Sequence, residues 1–228
     1  MRVTLVYPPI NIPELVPLPL GLLSAVLKEN GVSVKLMDLN LKYIDEVGRL
    51  VREKEVVPPG EARDNVMDFI LNCVITLIAS GKKGEECGIF SEMCEKLRDD
   101  ILRLSEKMGR EVIKTCPSLV GFSIGIYQLG FSLLISKFIK EKLPNCKIIF
   151  GGTQMTYAGR KVLELFDFVD FATRDEGEKM LPMLVRYLNK PKKYPQIPGL
   201  IYRKGEKVLE NPLSPPDNLN ELPFPDYE

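Results

Sequence analysis

Four short stretches of this sequence hold residues whose type and spacing could meet a ligand. The first is Tyr7-Pro8-Pro9, which opens a loop, PPINIPELVPLP, with prolines at 8, 9, 13, 17 and 19 and a single charge, Glu14. Prolines stiffen the backbone and remove N–H donors. Such a loop suits the face of a large, mostly apolar ring, a neighbouring domain, or simply a rigid surface turn. The second stretch, SIGIY, carries one small hydroxyl at Ser123, a glycine at Gly125 and an aromatic at Tyr127. It lacks the aspartate that a phosphorylatable receiver would need there. The third, Gly151-Gly152-Thr153, lets backbone approach a ligand closely and offers the Thr153 hydroxyl, although a plain tight turn uses the same residues. The fourth is Glu176-Gly177-Glu178, ahead of a helix. Its carboxylates either complement the helix N-terminus or contact ligand amides and hydroxyls.

Other chemistries are excluded by what the chain lacks. It has no histidine, so serine–histidine and cysteine–histidine catalysis, imidazole metal ligation and the commonest proton shuttle are out of reach. Neither GxGxxG nor GxxxxGK[ST] occurs, so no glycine-rich phosphate loop is present. The five cysteines, Cys73, Cys87, Cys94, Cys116 and Cys146, include no CxxC pair and are read as reduced core thiols.

The elements that must position these loops follow an alternating pattern. Val3–Tyr7 is a β-branched strand, Pro19 opens a helix with Leu20, Leu23 and Leu27 on one face and Gly31 as its stop, and Val32, Val34 and Leu36 begin a second strand. Residues 41–115 have helical spacing instead and form an insertion of two or three helices. The α/β pattern resumes with a strand at Leu119–Ile124, a helix at Leu129–Leu143 and a strand at Lys147–Phe150. A helix near Tyr157–Phe166, a strand at Phe168–Ala172 and a helix running to about Asn189 complete it. The fold expected is therefore α/β and doubly wound, Rossmann-like, with a parallel five-stranded sheet in the flavodoxin-type order 2-1-3-4-5. A ligand would lie across the carboxyl ends of strands 1, 3 and 4. Residues 191–228 form a β-hairpin about Lys204-Gly205, then a proline-rich extended linker with no terminal element of its own, as if cut from something longer.

With 31 basic and 31 acidic residues the net charge is zero, which disfavours nucleic acid and anionic membrane surfaces as partners. No run reaches the roughly 18 apolar residues of a membrane helix, and the first strand breaks on proline too early for a signal peptide. A cytoplasmic location is expected.

Taken in order, VYPP, PLGLLSAVLKENG, VGFSIGIYQL, KLPNCKIIFGGTQMT and DFATRDEGEKMLPMLV resemble the cobalamin-binding domain that precedes the radical domain in many radical S-adenosylmethionine enzymes. The resemblance covers residues 1–40 and 117–228, and LPFPDYE is similar to that family's linker. It implies cobalamin over the carboxyl edge of the sheet, with Tyr7, Pro8, Pro9, Leu20 and Gly21 bordering the corrin. It places Ser123, Gly125 and Tyr127 at the lower face or nucleotide tail, and Gly151, Gly152 and Thr153 along the channel for the tail. Glu176-Gly177-Glu178, after Asp175, matches a GEGE-like signature. Cobalamin domains of the methionine synthase type carry DxHxxG with a cobalt-ligating histidine. Here no protein imidazole can ligate cobalt. No CxxxCxxC occurs either, so an iron–sulfur cluster and S-adenosylmethionine would belong to a C-terminal radical domain absent from this chain. The chain alone is then not catalytic, and the whole protein would transfer methyl groups or do related radical chemistry. Two other readings remain: a nucleotide-sugar-dependent transferase with a diphosphate near Gly151-Gly152 and a metal on Asp175 or Glu178, or a scaffold that packs on a partner domain and binds no cofactor.

Overall fold

The computed structural model describes residues 1–10, 17–53, 65–174, 176–213 and 218–228. Pro13 and Glu14 of the first loop, and Asp175, lie outside them. Strand β1 (Arg2–Tyr7) lies between β2 (Ser33–Asp38) and β3 (Leu119–Ser123), and β4 (Lys147–Gly151) and β5 (Phe171–Thr173) continue the parallel sheet. Helix α1 (Leu18–Glu29) crosses from β1 to β2, α5 (Leu129–Lys142) from β3 to β4 and α6 (Met155–Leu165) from β4 to β5; α7 (Gly177–Tyr187) follows β5. The expected five-stranded sheet is instead seven-stranded, in the order β2-β1-β3-β4-β5-β6-β7. The hairpin β6 (Leu200–Lys204) and β7 (Lys207–Glu210) pairs antiparallel onto β5. Its inward side chains explain why: Leu200, Ile201 and Tyr202 are all buried and continue both faces of the core. Covering an otherwise exposed strand edge removes a template for aggregation.

The apolar strands are buried on both faces, as a parallel sheet requires. Val3, Leu5, Tyr7, Leu119, Ile149 and Phe171 point to a cluster with Leu20 and Leu27 of α1 and Met180, Leu181 and Leu184 of α7. Val6, Val120, Phe122, Ile148 and Phe150 point the other way, to α5, α6 and the inserted helices. The insertion comprises α2 (Leu39–Glu53), α3 (Asn65–Ala79) and α4 (Ser91–Lys114), with a 3₁₀ turn at Gly84–Phe90. Cys87, Cys94 and Cys146 are buried thiols, and burial pushes Cys146 up to about 11 and Cys94 up to about 12. Cys116 departs from the expected core role, because it is exposed just past the end of α4 with a left-handed backbone, φ 51°.

The end of the sheet opposite the ligand loops is tied by one carboxylate. Asp170 Oδ1 accepts from Lys147 Nζ at 2.9 Å, and Oδ2 accepts from the Ile148 N–H at 2.9 Å and pairs with Lys140 Nζ at 2.9 Å. The carboxylate is only 14% exposed, so removing its charge leaves two ammonium groups, Lys140 and Lys147, without their counter-charge. Asp170→Asn is expected to cost about 2 kcal/mol, read as a lower urea midpoint at unchanged slope. An unchanged midpoint would contradict this role.

Candidate functional site

Side chains alternate along each strand, so the face toward α1 and α7 can be followed row by row. Leu5, Gly121, Ile149 and Phe171 are register partners across β1, β3, β4 and β5. Two residues further on, at the carboxyl ends, come Tyr7, Ser123, Gly151 and Thr173. In the middle of the sheet this face therefore presents hydrogen, hydroxymethyl, hydrogen and hydroxyethyl groups, flanked by Leu5, Tyr7, Ile149 and Phe171. Glycine inside a strand signals the close approach of something else. The result is a trough between the sheet and the two helices, with a cavity of about 560 Å³. That lies within the range of roughly 300–1,000 Å³ usual for small-molecule sites.

The walls are mostly apolar. Pro17, Leu18, Pro19, Leu20 and Leu23 come from α1 and its approach, and Met180 and Leu181 from α7. The polar lining is sparse: hydroxyls of Ser123, Thr153, Thr156 and Thr173, the Gln128 amide, Arg174, and the carboxylates of Glu176 and Glu178. Arg174 is ion-paired with Glu210 of β7, which draws its charge toward the hairpin.

Three loops form one rim through short polar links. Gln128, fully buried, donates from Nε2 to the Pro8 carbonyl and accepts the Gly125 N–H on Oε1 at 2.7 Å. The Ile124 N–H donates to the Gly151 carbonyl at 2.8 Å, and the Gln154 N–H donates to the Ile124 carbonyl at 3.3 Å. Gly152 has φ 95°, and a β-carbon there would lie 2.6 Å from both the N and the O of Ile124. Only glycine permits this approach. The inserted helices add a further brace, because Asn72 of α3 accepts the Gly130 N–H on Oδ1 at 3.0 Å at the start of α5.

The same links leave little for an anion. At α1, Pro19 has no N–H and the Leu20 N–H is already given to the Pro17 carbonyl at 2.9 Å. At α5, the Gly130 donor is held by Asn72. At α7, Glu176 and Glu178 put negative charge where a phosphate would need to sit. Helix N-termini bind phosphate through free N–H groups, and at α1 and α5 one such donor is already committed.

Of the residues expected at the site, Tyr7, Leu20, Ser123, Gly125, Gly151, Gly152, Thr153, Glu176, Gly177 and Glu178 line the cavity. Pro8, Pro9, Gly21 and Tyr127 do not. Pro8 and Pro9 are buried under the rim, where the chain turns at Ile10 (φ 72°) and drives that side chain into the opposite core. Such a backbone costs roughly 1–3 kcal/mol in a β-branched residue; burial of the Ile10 side chain offsets it. Tyr127 packs against the core on the far face, and Gly21 lies beneath the ring of Tyr227. The residues not foreseen include Gly121, Thr173, Arg174 and Gln128. Of these, only Gly121, a glycine inside a strand pattern, carried a signal.

No family model matches the chain. Among curated proteins, an uncharacterized methyltransferase of Pyrococcus horikoshii is 27% identical over 122 residues, 53% of this chain and 27% of the relative. The anaerobic magnesium-protoporphyrin IX monomethyl ester cyclase of Synechocystis is 28% identical over 102 residues, 44% of this chain and 20% of the relative. The cobalamin-dependent radical SAM methyltransferase TokK of Streptomyces tokunonensis is 24% identical over 97 residues, 42% of this chain and 14% of the relative. Among solved structures, the cobalamin-dependent radical enzyme OxsB with aqua-cobalamin and S-adenosylmethionine bound superposes with a TM-score of 0.60 at 19% identity. The match covers 99% of this chain and 24% of that one. TsrM from Kitasatospora setae, with cobalamin and a 4Fe-4S cluster bound, gives 0.55 at 16% identity over 98% of this chain and 31% of that one. The fold is shared with cobalamin-dependent radical enzymes. TokK, OxsB and TsrM are of the class that the sequence motifs resemble, and this chain spans a third or less of each.

The rim makes a differential prediction. Gly152→Ala should cost about 3 kcal/mol, from strain plus backbone collision. Gly205→Ala, with a similar left-handed φ of 61° but nothing within 4 Å of a β-carbon, should cost about 1 kcal/mol. Equal losses by thermal unfolding would contradict the close packing of the two loops.

Proposed function

We propose that this chain is a cobalamin-binding domain, and that in the whole protein it works with a radical S-adenosylmethionine domain carrying the iron–sulfur cluster. The observation that carries the reading is the trough of Gly121, Ser123, Gly151 and Thr173, a slot of small side chains between apolar helix walls. Cobalamin is a broad ring bearing a long nucleotide tail, and a slot opening at the sheet edge suits a tail entering between sheet and helices. The proline-lined start of α1 gives the ring an apolar, donor-poor border.

When bound, cobalamin would supply a methyl-carrying or electron-relaying cobalt centre. The chain's own residues would bind and orient. Leu20 and Leu23 exclude water from one wall and Met180 and Leu181 from the other. Ser123, Thr153 and Thr173 offer hydroxyls to the amides of the cofactor's rim and tail. The rim links through Gln128 and Gly152 hold the three loops fixed before any ligand arrives, which reduces the ordering cost of binding. With no histidine anywhere in the sequence, no imidazole of this chain reaches the cobalt. Methyl transfer as the reaction of the whole protein is supported by its similarity to the P. horikoshii methyltransferase and to TokK. The lack of a basic, glycine-rich phosphate loop disfavours the nucleotide-sugar reading.

The test mixes the domain with hydroxocobalamin and separates the two by gel filtration. The visible chromophore should co-elute with the protein. Ser123→Leu, which fills the slot from a half-buried position, should lose at least about tenfold in affinity, roughly 1.4 kcal/mol, with an unchanged circular dichroism spectrum. A chromophore that separates from wild-type protein, or equal retention by the variant, would overturn the assignment. So would stabilisation by nucleotides with magnesium but not by cobalamin.

A further inference from the structure

The last residues do not extend away as a free linker. After a 3₁₀ turn at Leu219–Glu221 the chain returns to α1. The Asp226 N–H donates to the Gly21 carbonyl at 2.9 Å, and the Asp226 carboxylate pairs with Lys28 Nζ at 2.8 Å. Lys28 Nζ also donates to the Glu228 carbonyl at 3.0 Å, and the Glu228 N–H donates back to Asp226 Oδ1 at 2.9 Å. Between these anchors the Tyr227 ring lies on the bare backbone of Gly21. A β-carbon at Gly21 would stand 2.6–2.9 Å from three atoms of that ring. Lys28 holds the Asp226 carboxyl below its ordinary range. Two turns separate Gly21 from Lys28, so the segment grips most of the helix.

Helix α1 is thus engaged on two faces: Leu20 and Leu23 wall the cavity, while Gly21 and Lys28 hold the Asp226–Glu228 segment. We propose that Asp226–Glu228 form a latch that fixes α1 as the outer wall of the cavity, so that tail docking and ligand binding are linked through one helix. The latch stands on these contacts alone; the link to cobalamin rests on the reading given above. Gly21 is then a seat for Tyr227 rather than a border of the corrin. Glycine at this helix position lowers helix propensity, a cost that the close approach of the ring explains.

The experiment is a double-substitution cycle on the whole 228-residue chain, read by thermal unfolding and by hydrogen exchange at the Asp226 amide. In a Tyr227→Ala background, Gly21→Ala should raise Tm by roughly 2–4 °C, the ordinary helix gain. In the wild-type background the gain should vanish or reverse, and the Asp226 amide should lose about tenfold in protection. An equal Tm gain in both backgrounds with protection unchanged would overturn the latch. With hydroxocobalamin, Tyr227→Ala should weaken binding and the ligand should protect the Asp226 amide by the same factor, since linkage is reciprocal. Retention of hydroxocobalamin with neither effect would overturn the coupling while leaving the cofactor reading intact. Failure of wild-type protein to retain hydroxocobalamin would remove the cofactor reading and the coupling with it, and the Gly21–Tyr227 cycle would still decide the latch.

Discussion

A doubly wound sheet buries both faces, so a ligand can enter only where side chains are withheld. Here they are withheld at Gly121, Ser123, Gly151 and Thr173, on the face toward α1 and α7. Elsewhere on that face Val3, Leu5, Leu119 and Phe171 fill the same layer. Each methylene kept out of the slot forgoes about 0.8 kcal/mol of burial. A bound apolar ligand would recover part of that loss. The site is thus a deliberate gap in a core that is otherwise close-packed, and the loops exist to keep the gap open at its mouth.

Keeping it open is the task of the rim and the walls. Gln128 and Gly152 draw three loops together with buried hydrogen bonds and one backbone approach that no side chain tolerates. On one side α7 closes on α1 where Gly177 meets Leu23, leaving 2.7 Å for a β-carbon. On the other side the tail holds α1 from outside. The inserted helices join this frame through Asn72 at the start of α5. Stiffness of this kind would suit the proposed cofactor, whose chemistry needs the protein chiefly to supply its position.

How much of this was legible in the sequence depended on the range of each interaction. The β-branched run at Val3–Tyr7, the alternation of strands and helices, and the glycines at 151 and 152 are local signals, and they led to the parallel sheet and the loops over it. The hairpin was legible as a hairpin, but not its pairing with β5, because β-edge pairing depends on tertiary contact and leaves no periodic mark. Pro8 and Pro9 were expected at the cavity because they follow the first strand. A left-handed turn at Ile10 takes them beneath the rim instead, and nothing in a PPI triplet announces that. Gly21 was expected beside the corrin by resemblance alone, but the group that approaches it is a tyrosine 206 residues further along the sequence. Gln128 had no signal at all, since one buried amide linking two loops looks like any polar residue before a helix.

The measurement that bears most directly on the central claim is the electron paramagnetic resonance spectrum of cobalt(II) cobalamin bound to this domain. If the nucleotide tail lies in the slot, its benzimidazole cannot reach the cobalt, and the chain has no histidine to replace it. The cobalt hyperfine lines should then show no nitrogen splitting. Lines split into nitrogen triplets would mean that the cofactor keeps its own base on the metal, and the slot would not be the site of the tail.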